Sequence, residues 1–147
     1  QRKAQSTQYS EDATRFASLR SSRWVIDHSS IGGNVARRQA NYRHWLQALE
    51  DVPNCHALYP DLPDHVVPYM FPLYVDFPMP HFYWLKQMGV PVWRWDEMAA
   101  STCPVARDYR LHLLHLPCHQ SLSEDELNWI VAATQKTLGR PIDGVRE

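Results

Sequence analysis

The densest run of chemically competent side chains is His112-Leu113-Leu114-His115-Leu116-Pro117-Cys118-His119, with four possible metal ligands in eight residues. Zinc is bound by such groups. Spacing decides against it. Asp108–Leu116 alternates enough to read as a strand closed by Pro117, and residues three apart on a strand point to opposite faces. His112 and His115 then cannot share an ion. On a helix they could, but Pro117 and the capping signal after it leave a helix no room. The histidines are expected to be ordinary strand residues, with no metal site. Cys118-His119 sets a thiol beside an imidazole, yet nucleophile–base pairs are assembled from distant positions rather than adjacent ones.

A second cluster is Val92-Trp93-Arg94-Trp95-Asp96, one cation between two large rings. Rings around a guanidinium make a pocket for a flat or sugar-like ligand whose carboxylate or phosphate meets the arginine. The same pattern also fits two core tryptophans on one strand face with Arg94 solvated on the other, because Trp93 and Trp95 share a face at period two. Both readings stay open on pattern alone. Lysines number three: Lys3, Lys86 and Lys136. Lys86 and Lys136 fall on helix surfaces, whereas a Schiff-base lysine needs a desolvated or cation-flanked pocket. Phosphate-binding glycine loops, the GxSxG nucleophile turn and CxxC are absent from the sequence.

The elements that must position these residues follow from periodicity. A short helix is expected over 11–20, then a break at Ser29–Gly33. A longer helix capped by Asn34 follows, with Val35, Tyr42, Trp45, Leu46 and Leu49 on one face and Arg37, Arg43, Gln47 and Glu50 opposite. Residues 52–65 read as loop. Val66–Asp76 reads as a strand whose Pro68 and Pro72 make it an edge or bulged strand. Met79–Met88 reads as a helix stopped by Gly89, and Val90–Trp95 as extended. The last helix is the clearest. Ser123 and Glu126 form a capping box, Leu127, Ile130, Val131, Thr134 and Leu138 a stripe, and Gly139 with Pro141 the stop. The fold class is therefore α+β: a two-layer sandwich of a small antiparallel or mixed sheet, about three or four strands, with helices on one face.

Composition narrows the function. A chain of 147 residues is long enough for one domain with its own core. The net charge of −1, with no long run of one sign, points away from nucleic acid and membrane surfaces as partners. No apolar stretch approaches the roughly 20 residues of a spanning helix. Three cysteines at irregular spacing argue against a disulfide framework, so a cytoplasmic location is expected. Six tryptophans and seven tyrosines exceed what a core of this size needs.

The run Leu116–Leu127 into the last helix, with Arg37-Arg38-x-x-Asn41-Tyr42 ahead of it, resembles the DegT/DnrJ/StrS-type aminotransferases, enzymes dependent on pyridoxal phosphate (PLP). Leu116-Pro117-Cys118-His119-Gln120-Ser121-Leu122-Ser123-Glu124-Asp125-Glu126-Leu127 resembles the family's C-terminal run into the last helix. Arg37-Arg38-x-x-Asn41-Tyr42 and Leu49 resemble the start of the small domain, and Val67–Val75 its first strand. Leu85-x-x-x-Gly89-Val90-Pro91-Val92-Trp93 resembles the next turn and strand, and Cys103-Pro104-Val105-Ala106 the helix before the last strand. The order holds over about residues 34–139. The resemblance implies a small C-terminal domain of a fold type I enzyme at 34–147, preceded by a tail and linker helix at 1–33. The lysine-bearing large domain would be its partner, the full-length enzyme a homodimer, and a keto sugar or related small molecule the substrate. PLP would then belong to the full-length enzyme, with none bound by this chain alone and no catalytic residue here. By the same resemblance the strand after Gly89 ends at the mouth of the active site, which makes Arg94, Trp93 and Trp95 the expected substrate-binding residues. Sugar-nucleotide members often show a His and a Tyr there, so an amino acid or other amine is also admitted. A reading from another class is a non-catalytic ligand-binding or dimerisation module using the Trp-rich surface.

Overall fold

The computed structural model describes residues 17–95 and 101–142. Contacts divide the chain into two units, Gln1–Ile31 and Gly32–Glu147. In the first, α1 spans Arg20–Asp27 and buries no side chain. Trp24 stacks on His28 at 4.5 Å, and the Ser29 hydroxyl donates to the Val25 carbonyl. Of the helix expected over 11–20, residues 11–16 fall outside the described residues, residues 17–19 are not helical and Arg20 opens α1.

The second unit is an α+β sandwich. Its helices are α2 (Ile31–Leu49), α3 (Pro78–Gln87), α4 (Pro104–His112) and α5 (Glu124–Leu138), and its strands β1 (Cys55–Ala57), β2 (Phe71–Val75), β3 (Trp93–Arg94) and β4 (Leu113–Leu116). The strands form one antiparallel sheet in the order β1-β2-β4-β3. Phe71, Leu73 and Val75 alternate inward from β2 and Leu114 and Leu116 from β4, all fully buried. Tyr42, Trp45 and Leu49 of α2, Leu85 of α3, and Leu127, Ile130, Val131 and Leu138 of α5 cover that face. The expected stripes of α2 and α5 are what pack. Trp45 stacks on Phe71 at 5.8 Å while its indole N–H donates to the Pro117 carbonyl at 2.9 Å, so truncating it to alanine would cost about 3–5 kcal/mol. The capping box of α5 is complete: the Glu126 amide donates to the Ser123 hydroxyl, and the Ser123 amide to Glu126 Oε2.

Four expectations are corrected. The break expected at Ser29–Gly33 falls at Ser29 and Ser30, without the glycines, and Asn34 is not a cap, because α2 begins at Ile31 and carries all three in its first turn. Asp108–Leu116 is not one strand, since Pro104 opens a helix that runs to His112 and leaves only Leu113–Leu116 extended. The three-residue β1 lies inside the expected loop at 52–65, entered through Asn54 at φ 63°. Finally β2 is interior, not an edge. Pro72 is tolerated there because its carbonyl accepts from the Leu58 amide just past the end of β1. In an antiparallel pair one residue's N and O face the same neighbour, so its missing donor points where the ladder has run out.

Candidate functional site

Gly89 turns the chain from α3 into β3 at φ +84°, a conformation glycine adopts without strain. Val90 and Val92 then anchor in the core, which pushes Trp93 outward, 68% exposed. Trp93 pairs with His115 across the β3–β4 ladder, and Arg94 with Leu114. Trp93 therefore stands on the His115 side of the sheet. Arg94 turns to the side of α3, where its guanidinium lies 4.4 Å from the Phe82 ring centre and 6.0 Å from that of Tyr83. The rings beside Arg94 in space are thus not its neighbours in sequence. Trp95 meets His115 edge-on, centroids 4.6 Å apart at 80°. Neither tryptophan is a core residue. Lys86 is exposed, its Nζ 4.5 Å from the Trp93 ring centre.

Two hollows flank this strand. One of about 480 Å³ is lined by Arg38, Tyr69, Met70, Pro91, Trp93, His115, Leu116, Pro117 and His119. Of its two histidines, His115 has a buried Nε2 without a hydrogen-bond partner, and burial pushes its pKa down. The other, about 850 Å³, is largely apolar, lined among others by Tyr59, Val66, Val67, Tyr69, Trp95 and Tyr109. Val67 and Tyr69 are exposed.

The segment leaving β4 is held from α2. Arg37 donates to the Leu122 carbonyl, Arg38 to Gln120 Oε1, and Asn41 to the His119 carbonyl. The Tyr42 hydroxyl, its pKa raised to about 12 chiefly by burial, donates to the Tyr59 carbonyl. Two runs that carry the family resemblance in sequence, 37–42 and 116–122, are therefore bonded to each other. His112 and His115 do not share a strand: His112 ends α4 and places Nδ1 2.7 Å from the Val75 carbonyl, while His115 sits on β4. Among the described residues no three His, Cys, Asp or Glu are grouped to hold a metal, and no helix is long and apolar enough to cross a membrane.

No family model matches the chain, and no curated protein does. Solved structures do match. DesV from S. venezuelae, in complex with a ketimine intermediate, is 17% identical with a TM-score of 0.67, over 82% of this chain and 35% of its own. The aminotransferase TlmJ from Streptoalloteichus hindustanus is 19% identical, TM-score 0.63, over 74% and 32%. PseC of Helicobacter pylori, an aminotransferase involved in the biosynthesis of pseudoaminic acid, is 17% identical, TM-score 0.60, over 71% and 33%. The likeness is one of fold. This chain spans about a third of the length of these proteins.

Arg38 and His119, which line the smaller hollow with His115, were not legible as site residues. The sequence signal was present in two places, the Arg-Arg pair of α2 and the histidines after β4, but nothing in their spacing says that they meet.

Proposed function

We propose that this chain is the small C-terminal domain of a PLP-dependent aminotransferase that acts on a keto sugar or a related keto substrate. The observation that carries the reading is the fold likeness to DesV and to the aminotransferases TlmJ and PseC over most of this chain and a third of theirs. The sequence landmarks at 37–42, 67–75, 85–93 and 116–127 support it by falling in the same order. The described lysines do not fit the aldimine-forming role, because Lys86 and Lys136 are both exposed and neither lies in a desolvated pocket. PLP and its lysine would belong to a larger domain, and no step of the chemistry is assigned to residues here.

In this reading the apolar cleft with exposed Val67 and Tyr69 is the face that meets the larger domain, since exposed apolar patches of this kind mark interaction surfaces. The domain would close over the active site, exclude water and present Arg94, Trp93 and Trp95 to substrate. Dimerisation of the whole enzyme and a cytoplasmic location belong to the same proposal. Reading the coding sequence upstream of Gln1 for a large α/β domain with a buried lysine tests it. So does mixing this chain with PLP and borohydride: the expected result is no trapped imine, and a stoichiometric adduct on Lys86 or Lys136 would overturn the division of labour.

The exposed Trp93 and Tyr69 favour one other reading, a non-catalytic ligand-binding or dimerisation module. An upstream sequence without a PLP-binding domain would decide for it.

A further inference from the structure

We propose that the hollow of about 480 Å³ beside Trp93 binds a small anion carried on a flat ring, a phosphorylated or carboxylated aromatic compound. This inference does not draw on the aminotransferase reading.

Charge comes first. Among the described residues, the ionisable side chains lining the hollow include Arg38, His115 and His119 and no carboxylate. Arg38 is already oriented: Nε donates to Gln120 Oε1 at 2.7 Å and Nη1 to the Pro68 carbonyl at 3.0 Å. Its Nη2 makes no hydrogen bond to a described residue and keeps its N–H groups to meet an oxyanion. Fixing the guanidinium beforehand removes the entropy cost a ligand would otherwise bear.

His115 supplies the second point. Its Nε2 is covered and has no hydrogen-bond partner, so a ligand oxygen accepts from it only once the side chains over it shift. The ring is held edge-on against Trp95, so its direction is set. His119 is exposed at the rim.

The ring preference comes from the walls. Trp93 is 68% exposed and Tyr69 80% exposed, two large faces bordering a donor-lined hollow. Exposed rings of this size offer stacking surface to a flat ligand, and the Lys86 ammonium over Trp93 adds positive potential at the rim.

The test is an NMR titration of the 147-residue chain with phenyl phosphate, read at the Trp93 indole N–H and the His115 ring, with benzoate, inorganic phosphate and phenol as comparison arms. The expected result is saturable shifts at both residues with phenyl phosphate, weaker binding of benzoate, and inorganic phosphate and phenol each weaker by about tenfold or more. Trp93→Ala, at an exposed position, and His115→Phe, which keeps the ring against Trp95, should each weaken phenyl phosphate by about fivefold or more. Shifts that do not saturate, that scatter away from Trp93 and His115, or that persist unchanged in both variants would overturn the proposal.

Discussion

His112 Nδ1 lies 2.7 Å from the carbonyl oxygen of Val75, and the two residues thereby join the end of α4 to the end of β2. The nitrogen facing a carbonyl must carry the proton, so the ring is fixed as a donor there. The same ring stacks on Tyr74 at 5.0 Å and 10°, and the Tyr74 hydroxyl donates to Asp108 one turn back along α4. Tyr74 points away from the core between Leu73 and Val75, so these contacts lay α4 on the second face of the sheet.

Replacing His112 with phenylalanine keeps the stack and removes the bond. The expected loss is about 1 kcal/mol of unfolding free energy, with His112→Ala losing more. Urea denaturation of the two variants measures it, and equal stability of His112→Phe and the parent would show that the carbonyl contact contributes nothing.

Stability should fall as the medium is acidified below the ordinary histidine pKa of 6.5. Burial lowers the pKa of His81, against a weaker opposing pull from Asp76, and lowers that of His115. Folded-state values below the unfolded ones mean the unfolded chain takes up protons first, so stability is intact above 6.5 and lost beneath it. Urea midpoints at pH 7.5 and 5.5 should therefore differ, lower in acid. His81→Phe, which removes two ring nitrogens buried without partners, should flatten the difference. A midpoint that rises in acid contradicts the sign.

The three cysteines should separate by rate toward a thiol reagent. Cys103 is exposed, Cys118 is buried, and burial raises the Cys118 thiol to about 11 and the Cys55 thiol to about 12. Thiolate is the reacting form. One fast equivalent at Cys103 and two slow ones are expected, and rapid labelling of all three would mean that the core opens readily.

On the proposed aminotransferase reading, Arg94→Ala in the full-length enzyme should lower kcat/KM by about tenfold or more, the worth of one charge-assisted contact at roughly 1.5–3 kcal/mol. Arg94 also stacks on Phe82, so thermal unfolding should be followed alongside. Unchanged kinetics with a lowered Tm would assign the residue to packing instead.

Helices with buried stripes and a cap were readable in the sequence because their signal is local: α5 carries its cap, stripe and stop within seventeen residues, Ser123 to Gly139. The 108–112 stretch was misread because its apolar residues, Tyr109 and Leu111, stay exposed and its contacts run through Asp108 and His112. No periodicity records a helix that docks by its polar side chains. Pro72 misled in the opposite direction, since its effect depends on where β1 stops, a fact held fourteen residues away at Leu58 and its neighbours only after pairing. The candidate hollow joins Arg38 of α2 to His115 and His119, far along the chain, a meeting that only the fold produces.

The segment after β4 is fastened in an unusual polarity. Trp45, Asn41 and Arg37 reach its carbonyls at Pro117, His119 and Leu122, whereas the amides of Cys118, His119, Gln120 and Ser121 donate to no described residue. Deuterium uptake reports on amides alone. This stretch should therefore exchange quickly and look loose by that measure, although its path is set by side chains of α2, and only a probe of carbonyl or side-chain order would register how firmly it is tied.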